Sequence, residues 1–204
     1  MLQFAQQDST ALIGWVSRRF AAHEKRITRA DAEYLIEITG GLMNRMIPEI
    51  EKIASYAKDA IVTRADIDAV TEKTPDAVVF EMTDLLAQGD RDGAMATLAE
   101  LLAMKDAEPI AILAALGGQM RRLYAAKICA QQRVGTQDAM ALCDVRYEFL
   151  VQKLQRSARR FSMEALERAV ELCAETDYAM KHTGADDLLL LEDTLLKIMT
   201  EAAR

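Results

Sequence analysis

One stretch of the chain holds side chains of the right types and spacing to bind a charged partner. Arg146, Phe149, Lys153, Arg156 and Arg160 fall on one side of a helix predicted over 145–160, opposite an apolar stripe of Tyr147, Leu150, Val151, Leu154 and Ala158. A basic row interleaved with an aromatic ring can meet phosphates or an acidic neighbouring subunit, and in an acidic protein it is equally the pattern of a solvated face. Other chemistry finds less support. Glu49-Ile50-Glu51-Lys52 carries opposite charges at helical spacing, which a solvated helix face explains. His23 and His182 have no catalytic partner at helical spacing, and the sequence offers no phosphate-binding glycine loop, nucleophile motif or metal-ligand cluster. Cys129, Cys143 and Cys173 lie far apart in apolar patterns without a CxxC pair, the profile of reduced cytosolic thiols rather than of a metal site. The residues argue against an enzyme and require no cofactor.

The elements that would position such a row are helical. Of 204 residues 51% are hydrophobic, only 9 are Gly and 3 Pro, and Ala, Leu, Met, Glu, Lys and Arg dominate over aromatics. That usage favours an all-α fold over sheets, and the length suits one large domain or two small ones. With a net charge of −7, affinity for nucleic acid is not a property of the whole surface, so any DNA contact must be local. The leader Met-Leu-Gln-Phe is too short for a signal peptide, and no apolar run approaches the ~18 residues of a membrane span. A soluble, cytoplasmic protein without membrane contact is expected.

The longest predicted helix covers 108–132, opening on Pro109 and carrying Leu113, Leu116, Met120, Leu123 and Tyr124 as one stripe. Gln119, Arg121 and Arg122 point away from that stripe, towards solvent or a partner chain. Gly117-Gly118 should cost about 1 kcal/mol per glycine relative to Ala, which fits either close contact with another helix or a thin spot in the core. Before it, Asp8-Ser9 caps a helix with Leu12, Ile13, Val16 and Phe20 inward and Trp15 in the core. Thr28-Arg29-Ala30-Asp31 has capping-box spacing and starts a helix over about 29–39. Met43, Met46, Ile50 and Ile53 mark a third, in which Pro48 delays or kinks the start. Thr63-Arg64-Ala65-Asp66 repeats the capping words 35 residues on and starts a short helix through Val70. With no third copy, shared capping chemistry explains this better than a repeat array. Later, a helix holds Val78, Val79, Met82, Leu85 and Leu86, and Asp90 to Gly93 reads as a turn before one with Ala94, Leu98, Leu101 and Leu102. Thr136 caps a short helix, and Phe161-Ser162 forms a staple and cap for a helix reaching about His182. The last helix holds Leu188 to Leu191, Leu195, Ile198 and Met199, and its four consecutive leucines imply burial on more than one side, by its own fold or by another subunit.

Glu72-Lys73-Thr74-Pro75-Asp76 is the best domain boundary, polar and proline-containing between two helical patterns. Residues 1–6 look like the end of something preceding. Taken in order, these stretches resemble the delta subunit of the bacterial DNA polymerase III clamp loader without its N-terminal domain. The resemblance lies in Phe4, Leu12 and Trp15-Val16, Glu49-Ile50-Glu51-Lys52-Ile53 with Tyr56, Ile61 through Asp66, Val79-Phe80, Asp84, Gly89-Asp90 and Ala94. It continues in Gln119-Met120-Arg121, Arg160-Phe161-Ser162, Leu166, Asp177, Lys181 and Gly184, while Pro48 and Leu42 depart from the family pattern.

The resemblance implies that 1–6 end a missing N-terminal domain, that 7–73 form the small helical lid of an AAA+ module, and that 74–204 form a helical collar for oligomerisation. It implies partners in the other clamp-loader subunits, the ATPase subunits and delta-prime, with the sliding clamp met only through the missing domain and primed DNA through the assembled complex. The chain would then have no catalysis of its own. Gln119, Arg121, Arg122, Asp177, Lys181, Leu191 and Leu195 become candidate subunit-interface residues, and Arg146, Lys153, Arg156 and Arg160 candidate phosphate contacts. The competing reading is a free-standing helical-repeat adaptor that binds peptides in a groove.

Overall fold

Two short strands give the N-terminal half a feature that helical periodicity does not disclose. The structure is a computed structural model describing residues 9–105 and 107–202. Helices α1 (Ser9–Ala22), α2 (Arg29–Thr39), α3 (Met43–Tyr56) and α4 (Arg64–Val70) are joined by β1 (Arg26–Ile27) and β2 (Ile61–Val62), which pair in parallel with Ile27 opposite Val62. Each strand runs straight into a threonine cap. Thr28 accepts from the Asp31 amide, while Thr63 and Asp66 form a full capping box. The repeated Thr-Arg-Ala-Asp words therefore sit side by side because the two strands pair. Across this pair Arg64 Nε donates to Asp31 Oδ1 at 3.2 Å, its guanidinium lies 3.6 Å from the Tyr34 ring centroid, and the Tyr34 hydroxyl donates to Asp68 at 2.5 Å.

Beneath the clasp, Val16, Phe20, Leu35, Met46, Ile53, Val62 and Ile67 are all fully buried. Trp15 departs from expectation. It is half-buried, with the Arg19 guanidinium 5.4 Å from its ring, because it lies between the inward positions of α1 rather than on them. Pro48 sits inside α3 without delaying its start at Met43. The expected N-terminal tail, with Leu2, Phe4 and the Asp8 cap, lies outside the described residues.

The chain divides into two compact units, Met1–Ala77 and Val78–Arg204, a division inside the first turn of α5 (Pro75–Gln88). The C-terminal unit continues with α6 (Arg91–Ala103), α7 (Pro109–Gln132), α8 (Thr136–Leu142), α9 (Glu148–Ala158), α10 (Met163–His182) and α11 (Asp187–Ala202). Asp90, read as opening a turn, instead caps α6 by accepting from the Gly93 amide, so the helix starts at Arg91. Gly135, not Thr136, occupies the cap of α8, and α9 begins at Glu148, later than predicted.

Helix α7 is the axis of this unit and packs against α8, α9, α10 and α11. Its Leu113, Leu116, Met120 and Leu123 are fully buried. Gly117 resolves the question posed by the glycine pair, since a Cβ there would stand 3.2 Å from the Cys173 Cβ on α10, whereas at Gly118 the nearest atom is the end of Arg121 at 3.9 Å. One glycine lets two helices approach and the other does not. Lys127 also ties α7 to its neighbours: its ammonium donates to the Ala158 carbonyl at 3.1 Å and the Phe161 carbonyl at 2.5 Å, satisfying acceptors left open where α9 ends. Ser162 then caps α10 through the Ala165 amide at 2.9 Å, with Phe161 and Leu166 both buried behind it.

Candidate functional site

The basic row is only partly assembled by the fold. Lys153 and Arg156 of α9 and Arg160 just past its end line an open depression of about 250 Å³ together with Ser157 and with Asp84, Ala87 and Gln88 of α5. Arg146 precedes α9, is exposed, and does not line the depression. Phe149 is half-buried and stacked on Tyr147 with centroids 5.6 Å apart, so the aromatic of the row is turned onto its own helix start. Burial raises the Tyr147 hydroxyl above its ordinary pKa, against the opposing Arg146 charge.

Two interactions that helical periodicity does not disclose shape the depression. Lys153 Nζ stands 4.1 Å from the Phe80 ring centroid, and the Ser157 hydroxyl donates to the Asp84 carboxylate. Phe80 and Asp84 are one turn apart on α5, facing residues one turn apart on α9. Helical spacing on each side was available as a signal, but nothing in a single sequence pairs α5 with α9. The lining holds three cations against one carboxylate, while the chain as a whole carries −7.

The expected interface residues fare unevenly. Gln119 is a correction: it is 3% exposed, and its amide nitrogen finds no hydrogen-bond partner, so it is neither solvated nor available at a surface. It sits one turn from Leu116 and Leu123, within the angular width that α7 buries because it is covered on several sides. Leu191 and Leu195 are corrections too, each wholly enclosed by the core of its own unit. The leucines that remain outside are their neighbours Leu189, 64% exposed, and Leu196, 51% exposed, with Leu188 at 37%. Leu189 and Leu196 are seven residues apart and share one face of α11.

Arg121 is exposed and lies back over Gly117 and Gly118, while Arg122 is half-buried and reaches Asp144 at 3.8 Å. Asp177 and Lys181 pair with each other at 2.7 Å on α10. Tyr178, 64% exposed, stacks on His182 at 4.2 Å. Arg168 joins Glu171 at 3.0 Å and Glu175 at 2.9 Å, and Glu175 first, then Glu171, raise its pKa further.

The cysteines are packing residues. Cys129, Cys143 and Cys173 are free and buried; burial first, then neighbouring Cys129, pushes the Cys143 thiol up to about 12, and burial pushes Cys173 to about 11 against the opposing Arg121. Thiols held neutral are poor nucleophiles. Among the described residues no group of His, Cys, Asp and Glu could hold a metal ion, and no helix is long and apolar enough to cross a membrane.

Apart from the short pair β1 and β2, the described residues form an all-helical fold. The Bacillus subtilis DNA clamp loader delta protein superposes with a TM-score of 0.77 at 25% identity, covering 96% of this chain and 57% of that one. The sequence profile described as "DNA polymerase III delta subunit, C-terminal domain" matches residues 76–198, and the chain belongs to that family. DNA polymerase III subunit delta of Bacillus subtilis is 28% identical over 177 residues, covering 86% of this chain and 50% of the relative. The probable DNA polymerase III subunit delta of Aquifex aeolicus is 26% identical over 182 residues, covering 88% and 52%. The chain thus spans about half the length of the curated relatives it matches.

Proposed function

We propose that this chain is the lid and collar part of a clamp-loader delta subunit, a scaffold that assembles with ATPase subunits and delta-prime and has no catalysis of its own. In this reading residues 7–73 are the lid of an AAA+ module and 74–204 the collar. Contact with the sliding clamp belongs to a domain preceding the lid, and primed DNA is met by the assembled complex. Supporting it is a single observation about α11: after Leu191, Leu195, Ile198 and Met199 have closed the core, Leu189 and Leu196 still face outward on one side of the helix. Exposed leucines aligned at helical spacing are a liability for a lone protein and an asset for a subunit. Interfaces that hold such assemblies typically bury on the order of 1,600 Å² in total.

The helical-repeat adaptor has less behind it. Its strongest sequence hint, the recurring Thr-Arg-Ala-Asp, is accounted for by the pairing of β1 with β2. The test is size-exclusion chromatography of the chain mixed with the clamp-loader ATPase subunit of the same organism. Co-elution that is lost in Leu189→Asp/Leu196→Asp supports the scaffold, and separate elution of the unaltered chain at micromolar concentration refutes it.

A further inference from the structure

Beyond assembly, we infer that the depression between α5 and α9 is a binding site for the phosphodiester backbone of a nucleic-acid strand, with Arg156 and Arg160 as the principal phosphate ligands. Both arginines are exposed, lie one turn apart at the mouth of the depression, and take part in none of the ion pairs found among the described residues. The planar guanidinium presents a fork of donors that fits two oxygens of one phosphate, which makes arginine rather than lysine the residue expected at such a position. Lys153 is held from below by the Phe80 ring, which places its positive charge in the wall of the same depression. Ser157 and Gln88 complete the lining with neutral polar groups.

The lining also argues for nucleic acid over an acidic protein. Protein interfaces centre on apolar anchors with charge at the rim, whereas phosphates are met by Arg, Lys, Ser and Gln around an open, wet surface. Here Ala87 is the one aliphatic side chain in the lining. Asp84 works against an anion, and its carboxylate is already occupied as the acceptor of the Ser157 hydroxyl. It therefore serves as an internal gauge: removing its charge should help a bound phosphate and should do nothing for a solvated face. A purely structural role for the arginines exists as well, since cations near a helix C-terminus offset its dipole. That role would register in stability rather than in binding.

The experiment is fluorescence anisotropy with short labelled single-stranded and duplex DNA, at low salt and along a salt series, on the 204-residue chain. Arg156→Gln/Arg160→Gln should weaken binding at least about tenfold and flatten the slope of log affinity against log salt by roughly two, one for each phosphate no longer neutralised. Arg156→Lys/Arg160→Lys should keep the salt slope, because the charge is retained, but lose part of the affinity with the bidentate fork, and Asp84→Asn should raise affinity. Arg45→Gln removes one positive charge on the N-terminal unit, where Arg45 is exposed, and should leave binding unchanged, whereas Arg156→Gln alone, which also removes one, should weaken it. Thermal unfolding of each variant confirms the fold. Absence of binding at low salt, an equal loss in Arg45→Gln, or capture of polyglutamate in place of DNA would each overturn the inference.

Discussion

The two units close their helix ends by the same device and fill their interiors by different ones. In the N-terminal unit Lys25 reaches back to the carbonyls of Ala57 at 2.6 Å and Asp59 at 2.8 Å, just past the end of α3. In the C-terminal unit Lys127 does the same for Ala158 and Phe161 past the end of α9. A lysine earlier in the chain, Lys25 in the loop after α1 and Lys127 on α7, thus caps a later helix in both. What surrounds the lysine differs. The first unit is bound at its surface by a polar clasp of Thr28, Asp31, Tyr34, Thr63, Arg64, Asp66 and Asp68, whereas the second depends on the close approach of α7 and α10 at Gly117. A small bundle with four helices can be registered by hydrogen bonds between its helix starts. A larger one needs its central helix fitted on every side.

The largest contrast is expected at the lysines. Lys127→Met leaves two partly buried carbonyls without their charged donor and should cost about 1.5–3 kcal/mol. For Lys25→Met about 1 kcal/mol is expected, because one of its two acceptors is exposed and water can replace it. Chemical denaturation of the two variants measures the difference, and equal losses would mean that the two caps are not distinguished by burial.

Next comes the glycine pair. Gly117→Val drives its side chain into the Cys173 Cβ and should destabilise by about 1–3 kcal/mol. Gly118→Ala meets only the mobile end of Arg121 and should stabilise by up to about 1 kcal/mol through helix propensity. Opposite signs at adjacent residues are the outcome to look for in thermal melts.

The smallest effects near neutrality are those of pH, and they fall on opposite sides in the two units. In the N-terminal unit the Asp66 carboxyl lies below its ordinary 3.8, held there first by the Thr63 hydroxyl and then by the Thr63 amide. Its contribution is therefore complete above pH 3.8 and is lost as the pH falls further. In the C-terminal unit Cys143 and Cys173 lie above the ordinary 9.0, at about 12 and about 11. Their contribution is complete below pH 9.0 and is lost as the pH rises through that range, because the unfolded thiols ionise first. Unfolding followed at both pH extremes should show Thr63→Ala blunting the acid limb and Cys143→Ala blunting the alkaline one.

Much of this was legible in the sequence wherever a local rule applies. The bounds of α2 and α10 follow from Thr28, Gly40 and Ser162, whose capping roles need only a few neighbouring residues. The Pro109 start of α7 is legible for the same reason. What a local rule cannot supply is an interaction at a distance. Two-residue strands have no periodicity to detect, so β1 and β2 surface only as a repeated cap. Lys25 and Lys127 act on carbonyls more than 30 residues away. Leu188 to Leu191 are all leucine, so their identity leaves the buried face open; packing chose Leu191 and Leu195 and left out Leu189 and Leu196. Gln119 misled for the opposite reason, a polar type enclosed because α7 has almost no free side. In the depression, the spacing of Lys153, Arg156 and Arg160 was legible, but their meeting with Asp84 and Phe80 was not.

The scaffold reading predicts that the apolar face of Leu189 and Leu196 left on α11 is covered by a sister subunit. Light scattering on the chain, the ATPase subunit and delta-prime together measures it most directly. A single species heavier than any component, which breaks down when Leu196 is changed to Asp while that variant keeps its own melting temperature, is the predicted result. Each protein scattering at its own mass, or an assembly indifferent to the Leu196→Asp change, would contradict it.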